Sequence, residues 1–259
     1  MKPGQSLWTR EELILLMNLY CKLPFGKMNH TNPTIIQFAE LIGRTPSSIA
    51  LKLSNLASFD PTLRARGVRG AVNASKLDRE IWNEFYGNWD EALFLSEEIL
   101  AQKQHSTIEK INKIELDNFP INGKEKERLV KTRVNQSLFR NIVLATYNHQ
   151  CCITGLKNDE FLIASHIIPW SKDDKNRLNP MNGLCLNALH DRAFDSGLIT
   201  IRPDDYTIVL SLELKQKKNI NKALETHFIA YENKEIHLPD KFLPQPEFLD
   251  YHYQNIFRK

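Results

Sequence analysis

His166, Asn182 and His190 stand in one short stretch: Ser165-His166-Ile167-Ile168-Pro169-Trp170, then Asn182-Gly183-Leu184, then His190, closing at Asp195-Ser196-Gly197-Leu198-Ile199. A neutral imidazole can take a proton from water. An imidazole or carboxylate can hold a metal, and an amide can fix a ring or a loop. A metal held there would stabilise the negative charge that builds on a phosphate and on a leaving oxygen. Base, orienting amide and metal ligand are the minimum set for cutting a phosphodiester with a single metal ion. Blander uses exist for each residue. A histidine in an apolar strand can be a core residue, Asn182 before Gly183 suits a turn, and Asp195 before Ser-Gly suits a helix end.

Positioning these groups requires a strand, a loop, a second strand and a helix. Phe161 to Ile168 is apolar and strand-like, 171–180 is a polar loop, Gly183–Leu186 reads as a short strand and Ala188–Phe194 as a short helix. A helix from about Lys124 to Tyr147 precedes them, carrying Leu129, Val130, Val134, Leu138, Val143 and Leu144. Leu198–Ile201 and Thr207–Leu212 read as further strands. The final stretch holds Pro239, Pro244 and Pro246 and is expected to wrap across a neighbour rather than form a core element.

The order and spacing of His166, Asn182 and His190 resemble the HNH endonuclease motif, the ββα-metal fold. The flanks extend the resemblance: Val134-Asn135-Gln136-Ser137-Leu138-Phe139-Arg140, Cys152-Ile153-Thr154-Gly155, and Leu189-His190-Asp191-Arg192-Ala193-Phe194-Asp195. It covers about residues 128–255 and points to restriction-type HNH domains without the CxxC structural zinc. The resemblance implies His166 as general base, Asn182 as the residue that holds the loop and orients the base, and His190 as a metal ligand. Many relatives place an acid or histidine just before the first histidine, where this chain has Ser165. Colicin-type relatives add a histidine four residues after the last one, where this chain has Phe194. Asp195 is therefore the replacement ligand the resemblance suggests, with Asn182 second. The implied cofactor is a divalent ion, Mg²⁺ first, with Mn²⁺, Ni²⁺ or Zn²⁺ as alternatives.

The N-terminal part reads as helical. Thr9 with Glu12 forms a capping-box pattern before Leu13, Leu16, Met17 and Tyr20, and Pro24 and Gly26 end that helix. A second helix is expected over Pro33–Leu41. After Gly43, Thr45-Pro46 starts a third that turns Ile49, Leu53 and Leu56 inward. Helix, short turn and capped helix outline a helix-turn-helix. Residues 61–76 read as a basic, glycine-containing loop, and helices follow near Leu77–Tyr86 and Trp89–Gln104. Arg44, Lys52, Arg64, Arg66 and Arg69 could line a duplex backbone. Gln136 and Arg140, four apart on one helix face, could reach a phosphate together, or simply form a solvated face.

The fold class expected is thus α+β: a helical, helix-turn-helix-like domain at 1–110, a lysine-rich linker at 111–123, and an HNH nuclease domain of the ββα-metal type at 124–259. The 259 residues, 42% hydrophobic and 25% charged, suffice for cores that need no staples. A net charge of +3 is only a weak pointer to nucleic acid. No apolar run approaches the ~18 residues of a membrane span. Cys21, Cys151, Cys152 and Cys185 make no disulfide framework, and no signal peptide is visible, so a reducing, cytoplasmic setting is expected. The function expected is a metal-dependent endonuclease acting on double-stranded DNA, as a homodimer where both strands are cut. A non-catalytic DNA-binding protein on an HNH scaffold, and a phage or mobile-element nickase, stand as alternatives.

Overall fold

The computed structural model describes residues 6–71, 75–114, 123–216 and 221–259. Helices and two small antiparallel sheets make it α+β. The chain divides into two compact units, Met1–Ile142 and Val143–Lys259. Most of the expected linker, residues 115–122, lies outside the described residues.

The first unit is built on α1 (Arg10–Lys22), α2 (Pro33–Ile42), α3 (Pro46–Ala57), α4 (Pro61–Ala65), α5 (Lys76–Gly87), α6 (Trp89–Lys103), α7 (Ile108–Ile111) and the greater part of α8 (Lys124–Thr146). Thr9 and Glu12 close the capping box that starts α1. Every residue from Leu13 to Cys21 is buried, so α1 is a core helix packed by α3, α5 and α6. Gly43 ends α2 in the left-handed conformation (φ 68°), and Thr45 caps α3 by accepting from the Ser48 N–H. Residues 61–76 are not wholly a loop: Asp60 accepts from Thr62 N at 2.8 Å and Pro61 occupies the first helical turn, which nucleates α4.

The second unit holds the end of α8, then β1 (Leu162–His166), β2 (Gly183–Asn187), α9 (Ala188–Asp195), β3 (Ile199–Ile201), β4 (Ile208–Leu210), α10 (Lys222–His227) and α11 (Pro246–Asn255). β1 and β2 pair antiparallel, with Leu162 opposite Asn187 and His166 opposite Gly183. β3 and β4 form a second antiparallel pair. α9 packs on β1 and β2, and α11 on β3. The last stretch therefore corrects the expectation of a wrapping tail. Pro246 suits the first turn of a helix, and α11 buries Phe248, Leu249 and His252. All four cysteines are buried thiols.

Candidate active site

The β1–β2 hairpin and α9 bring the predicted residues into one strand–loop–strand–helix unit. Four strand steps from Asn187 back to Gly183 span ~13 Å. The eight residues of α9 rise ~12 Å as they return. The helix packs on both strands of the hairpin.

His166 ends β1. Its Nε2–H donates to the Arg177 carbonyl at 2.9 Å, which in the neutral ring puts the lone pair on Nδ1. Burial lowers its pKa, partly offset by that hydrogen bond. The Trp170 indole meets the ring edge-on at 5.5 Å, and Arg177 in turn lies 5.2 Å from the Trp170 ring and donates from Nε to the Trp170 carbonyl at 3.0 Å. Trp170 and the 170–177 loop therefore wall the imidazole on one side.

Asn182 is 1% exposed. Its Oδ1 accepts from Ile168 N at 2.8 Å, and its Nδ2 donates to the carbonyls of Ile168 at 3.2 Å and Asn176 at 3.1 Å. The amide thus ties the two ends of the loop between the strands together. Asn176 precedes Arg177, so the same clamp sets the carbonyl that orients His166.

His190 lies on α9 and is 1% exposed. Its Nε2–H donates to the His227 carbonyl at 2.7 Å, and its Nδ1 lies 3.0 Å from Asn187 Oδ1. Phe228 and Tyr231 pack on the ring at 5.1 and 5.9 Å. Burial first, and the His227 charge also, lower its pKa, against the hydrogen bond to the His227 carbonyl. Nε2 is committed to the fold, and in the neutral ring the Nδ1 lone pair faces the Asn187 oxygen, which accepts from the His190 backbone N–H.

Asp191 is the residue that sequence reasoning passed over. It is half-buried, and burial raises its pKa while the Ser165 hydroxyl and Arg192 lower it. Asp195 lies four residues on, one helical turn away on the same face, and is exposed at the rim. Its carboxyl is raised by desolvation and then by the Asp191 charge, against Arg192. Ser165 is 3% exposed. It faces the Asp191 carboxylate across the hairpin–helix seam. The available signal was the i, i+4 spacing of the two acids. Among the described residues no three histidine, cysteine or acidic side chains converge as a ready-made metal cage.

The basic residues proposed for DNA fare unequally. Arg44 donates from Nε and Nη2 to Glu12 at 2.8 and 2.7 Å, and to the carbonyls of Ser6 and Leu7 at 2.9 and 2.7 Å. Lys52 gives both carboxylate oxygens of fully buried Asp78 a hydrogen bond, at 2.7 and 2.8 Å. Both cations are neutralised inside the helical unit and hold α3 to α1 and α5. Arg64, Arg66 and Arg69 are exposed, Gln136 is exposed and accepts from Arg133 at 3.4 Å, and Arg140 is half-buried.

Residues 151–202 match the family described as HNH endonuclease. The match takes in the hairpin and α9 with His166, Asn182 and His190, so this chain carries an HNH nuclease domain, and DNA is the substrate class that such a domain implies. No curated protein matches the chain. Among the described residues no helix is long and apolar enough to cross a membrane.

Proposed function

We propose that this chain is a metal-dependent endonuclease that hydrolyses phosphodiester bonds of double-stranded DNA, acting in restriction of foreign or modified DNA. The observation that carries this reading is the setting of His166. One ring nitrogen is committed to the Arg177 carbonyl, and burial holds the ring neutral near pH 7. A neutral imidazole of fixed tautomer is ready to accept a proton. His166 takes the proton from a water whose oxygen attacks phosphorus, and the ester oxygen opposite leaves. Asn182 holds the loop that orients the base. A divalent ion, for which His190, Asp195 and Asn182 are the candidate ligands, would supply stabilisation of the charge on the scissile phosphate and the leaving oxygen.

Phosphate contacts fall to Arg64, Arg66 and Arg69 in the helical unit and to Gln136 and Arg140 on α8, rather than to Arg44 and Lys52. Contacts of this kind fix position on the duplex and make binding weaken with salt. The helix–turn–helix order of α2 and α3 supports a DNA-reading role for that unit.

The test is incubation of plasmid and phage DNA with Mg²⁺, Mn²⁺, Ni²⁺ or Zn²⁺, comparing the native protein with His166→Ala. Loss of the base should slow cutting by about 10²–10⁴-fold. Equal cutting by both proteins refutes the assignment. Ser165, at the place where relatives carry an acid, favours one second reading: a DNA-binding protein on an HNH scaffold. Absence of cutting with every metal and every DNA would establish it. A nicked rather than linear product would mark a strand-specific enzyme.

A further inference from the structure

We propose that Arg177 is a phosphate-binding residue beside His166, and that Asp174 is its resident counter-ion, displaced when DNA arrives. The proposal rests on the nuclease reading and adds the group that holds the substrate backbone next to the base.

The loop between β1 and β2 carries two aspartates of unlike standing. Asp173 is spent on the loop itself. It accepts from the backbone N–H groups of Lys175 and Asn176 at 3.0 and 3.3 Å, and from Asn176 Nδ2 at 2.7 Å. The Asp174 side chain is 80% exposed, and its ion pair among the described residues is with Arg177 Nη2. Such an exposed pair contributes little, because water competes for both charges.

Arg177 is better placed than an ordinary surface cation. Its carbonyl accepts from His166 Nε2 at 2.9 Å, and its own Nε donates to the Trp170 carbonyl at 3.0 Å. Its guanidinium lies 5.2 Å from the centre of the Trp170 ring, which meets the His166 imidazole edge-on at 5.5 Å. The stem is thus held, while Nη2 pairs with a carboxylate that water already reaches. Two ring contacts separate the guanidinium from the base. Phosphates of one strand rise about 3.4 Å apart along a duplex. DNA whose scissile phosphate meets His166 therefore brings that phosphate or its neighbour to Arg177. Binding a phosphate adds counterion release to the charge-assisted hydrogen bonds, and the exposed pair with Asp174 offers no such gain. Lys172 and Lys175 stand exposed on the same loop and add to its pull on the backbone.

The experiment measures fluorescence anisotropy of a labelled DNA duplex with the whole chain, in EDTA so that no strand is cut, over a series of NaCl concentrations. Arg177→Met keeps the backbone carbonyl and an apolar stem against Trp170. It should weaken binding about tenfold and lower the salt slope by about one. Arg177→Lys should fall between, having the charge without the planar fork. Asp174→Asn should tighten binding about threefold, and the same change made in Arg177→Met should leave affinity unaltered. Damage to the fold cannot mimic that gain, so the proposal stays open to refutation even if Arg177→Met unfolds. Native affinity and salt slope in Arg177→Met overturn the phosphate role. No gain from Asp174→Asn, or an equal gain in both backgrounds, overturns the counter-ion role. A native chain that binds no duplex even at low salt removes the nuclease reading as well, whereas native binding with an unmoved Arg177→Met refutes this proposal alone.

Discussion

Replacing Asn182 by Asp separates two roles that the same residue could play. As a metal ligand, a carboxylate at 182 would hold the cation at least as well as an amide. As a loop clamp, it must fail. The Nδ2 of Asn182 donates to the carbonyls of Ile168 and Asn176, at 3.2 and 3.1 Å, from a side chain only 1% exposed. An aspartate puts an oxygen where that donor stood, facing two carbonyl oxygens. Each acceptor left without its donor costs about 1–3 kcal/mol, and the buried carboxylate adds its own desolvation. The expected loss is therefore about 2–6 kcal/mol of stability in urea unfolding. The loop would loosen where Asn176 adjoins Arg177, the residue whose carbonyl orients His166. Plasmid cutting should fall by at least tenfold, chiefly in kcat, and protonation of the new carboxylate should restore stability as pH falls. An Asn182→Asp protein as stable as the native one, with equal or faster cutting, would refute the clamp.

The acid limb of kcat/KM should have its midpoint below 6.5, because burial lowers the His166 pKa and only the neutral ring accepts a proton; a midpoint at or above 6.5 in a pH–rate profile contradicts this. His252, 1% exposed and lowered to about 4 from 6.5, gives an acid-labile stability: the unfolded chain takes up the proton first, so stability drops as pH falls from 6.5 toward 4. The loss should reach about 3 kcal/mol at pH 4 and flatten in His252→Gln, as measured by chemical unfolding across that window. Gly197→Ala places a Cβ 2.1 Å from the Ile256 carbonyl oxygen at φ +68°, a strain of about 1–2 kcal/mol before the clash, and calorimetry should show a melting temperature lower by about 5 °C or more.

Local signals read well from sequence. The Thr9–Glu12 box and the Thr45-Pro46 start each depend on neighbours within a few residues, and each stands as expected. The hairpin and α9 are legible in the same way, from the apolar run at Phe161 to Ile168 and the polar loop that follows. Two misreadings concern proline. Pro61 and Pro246 read as loop markers, yet each begins a helix, because a first-turn position needs no N–H. Arg44 and Lys52 looked like surface cations because Glu12 and Asp78, their partners, lie 32 and 26 residues away. Only packing reveals that a charge is already matched. Asp191 was hidden for a related reason: adjacency to His190 in sequence says nothing about which face of α9 meets β1.

That face decides how the site can work with Ser165. Asp191 and Asp195 keep their place beside the hairpin only if α9 cannot shift. α9 is fixed at two points. His190 joins its first turn to the His227 carbonyl, and His252 joins its last turn to α11 by donating to the Phe194 carbonyl at 3.1 Å and stacking on the Phe194 ring at 3.6 Å. Thr200 engages the other nitrogen of His252 at 2.8 Å, tying β3 to the same point. Both imidazoles are held neutral by burial. A charged His252 would oppose that burial, so the neutral ring is the form that holds the end of α9 bearing Asp195. Amide hydrogen exchange at pH 7 on native and His252→Gln proteins checks the anchor: faster exchange at residues 194–196 is expected in the variant, and equal exchange would refute the anchoring of α9 by His252.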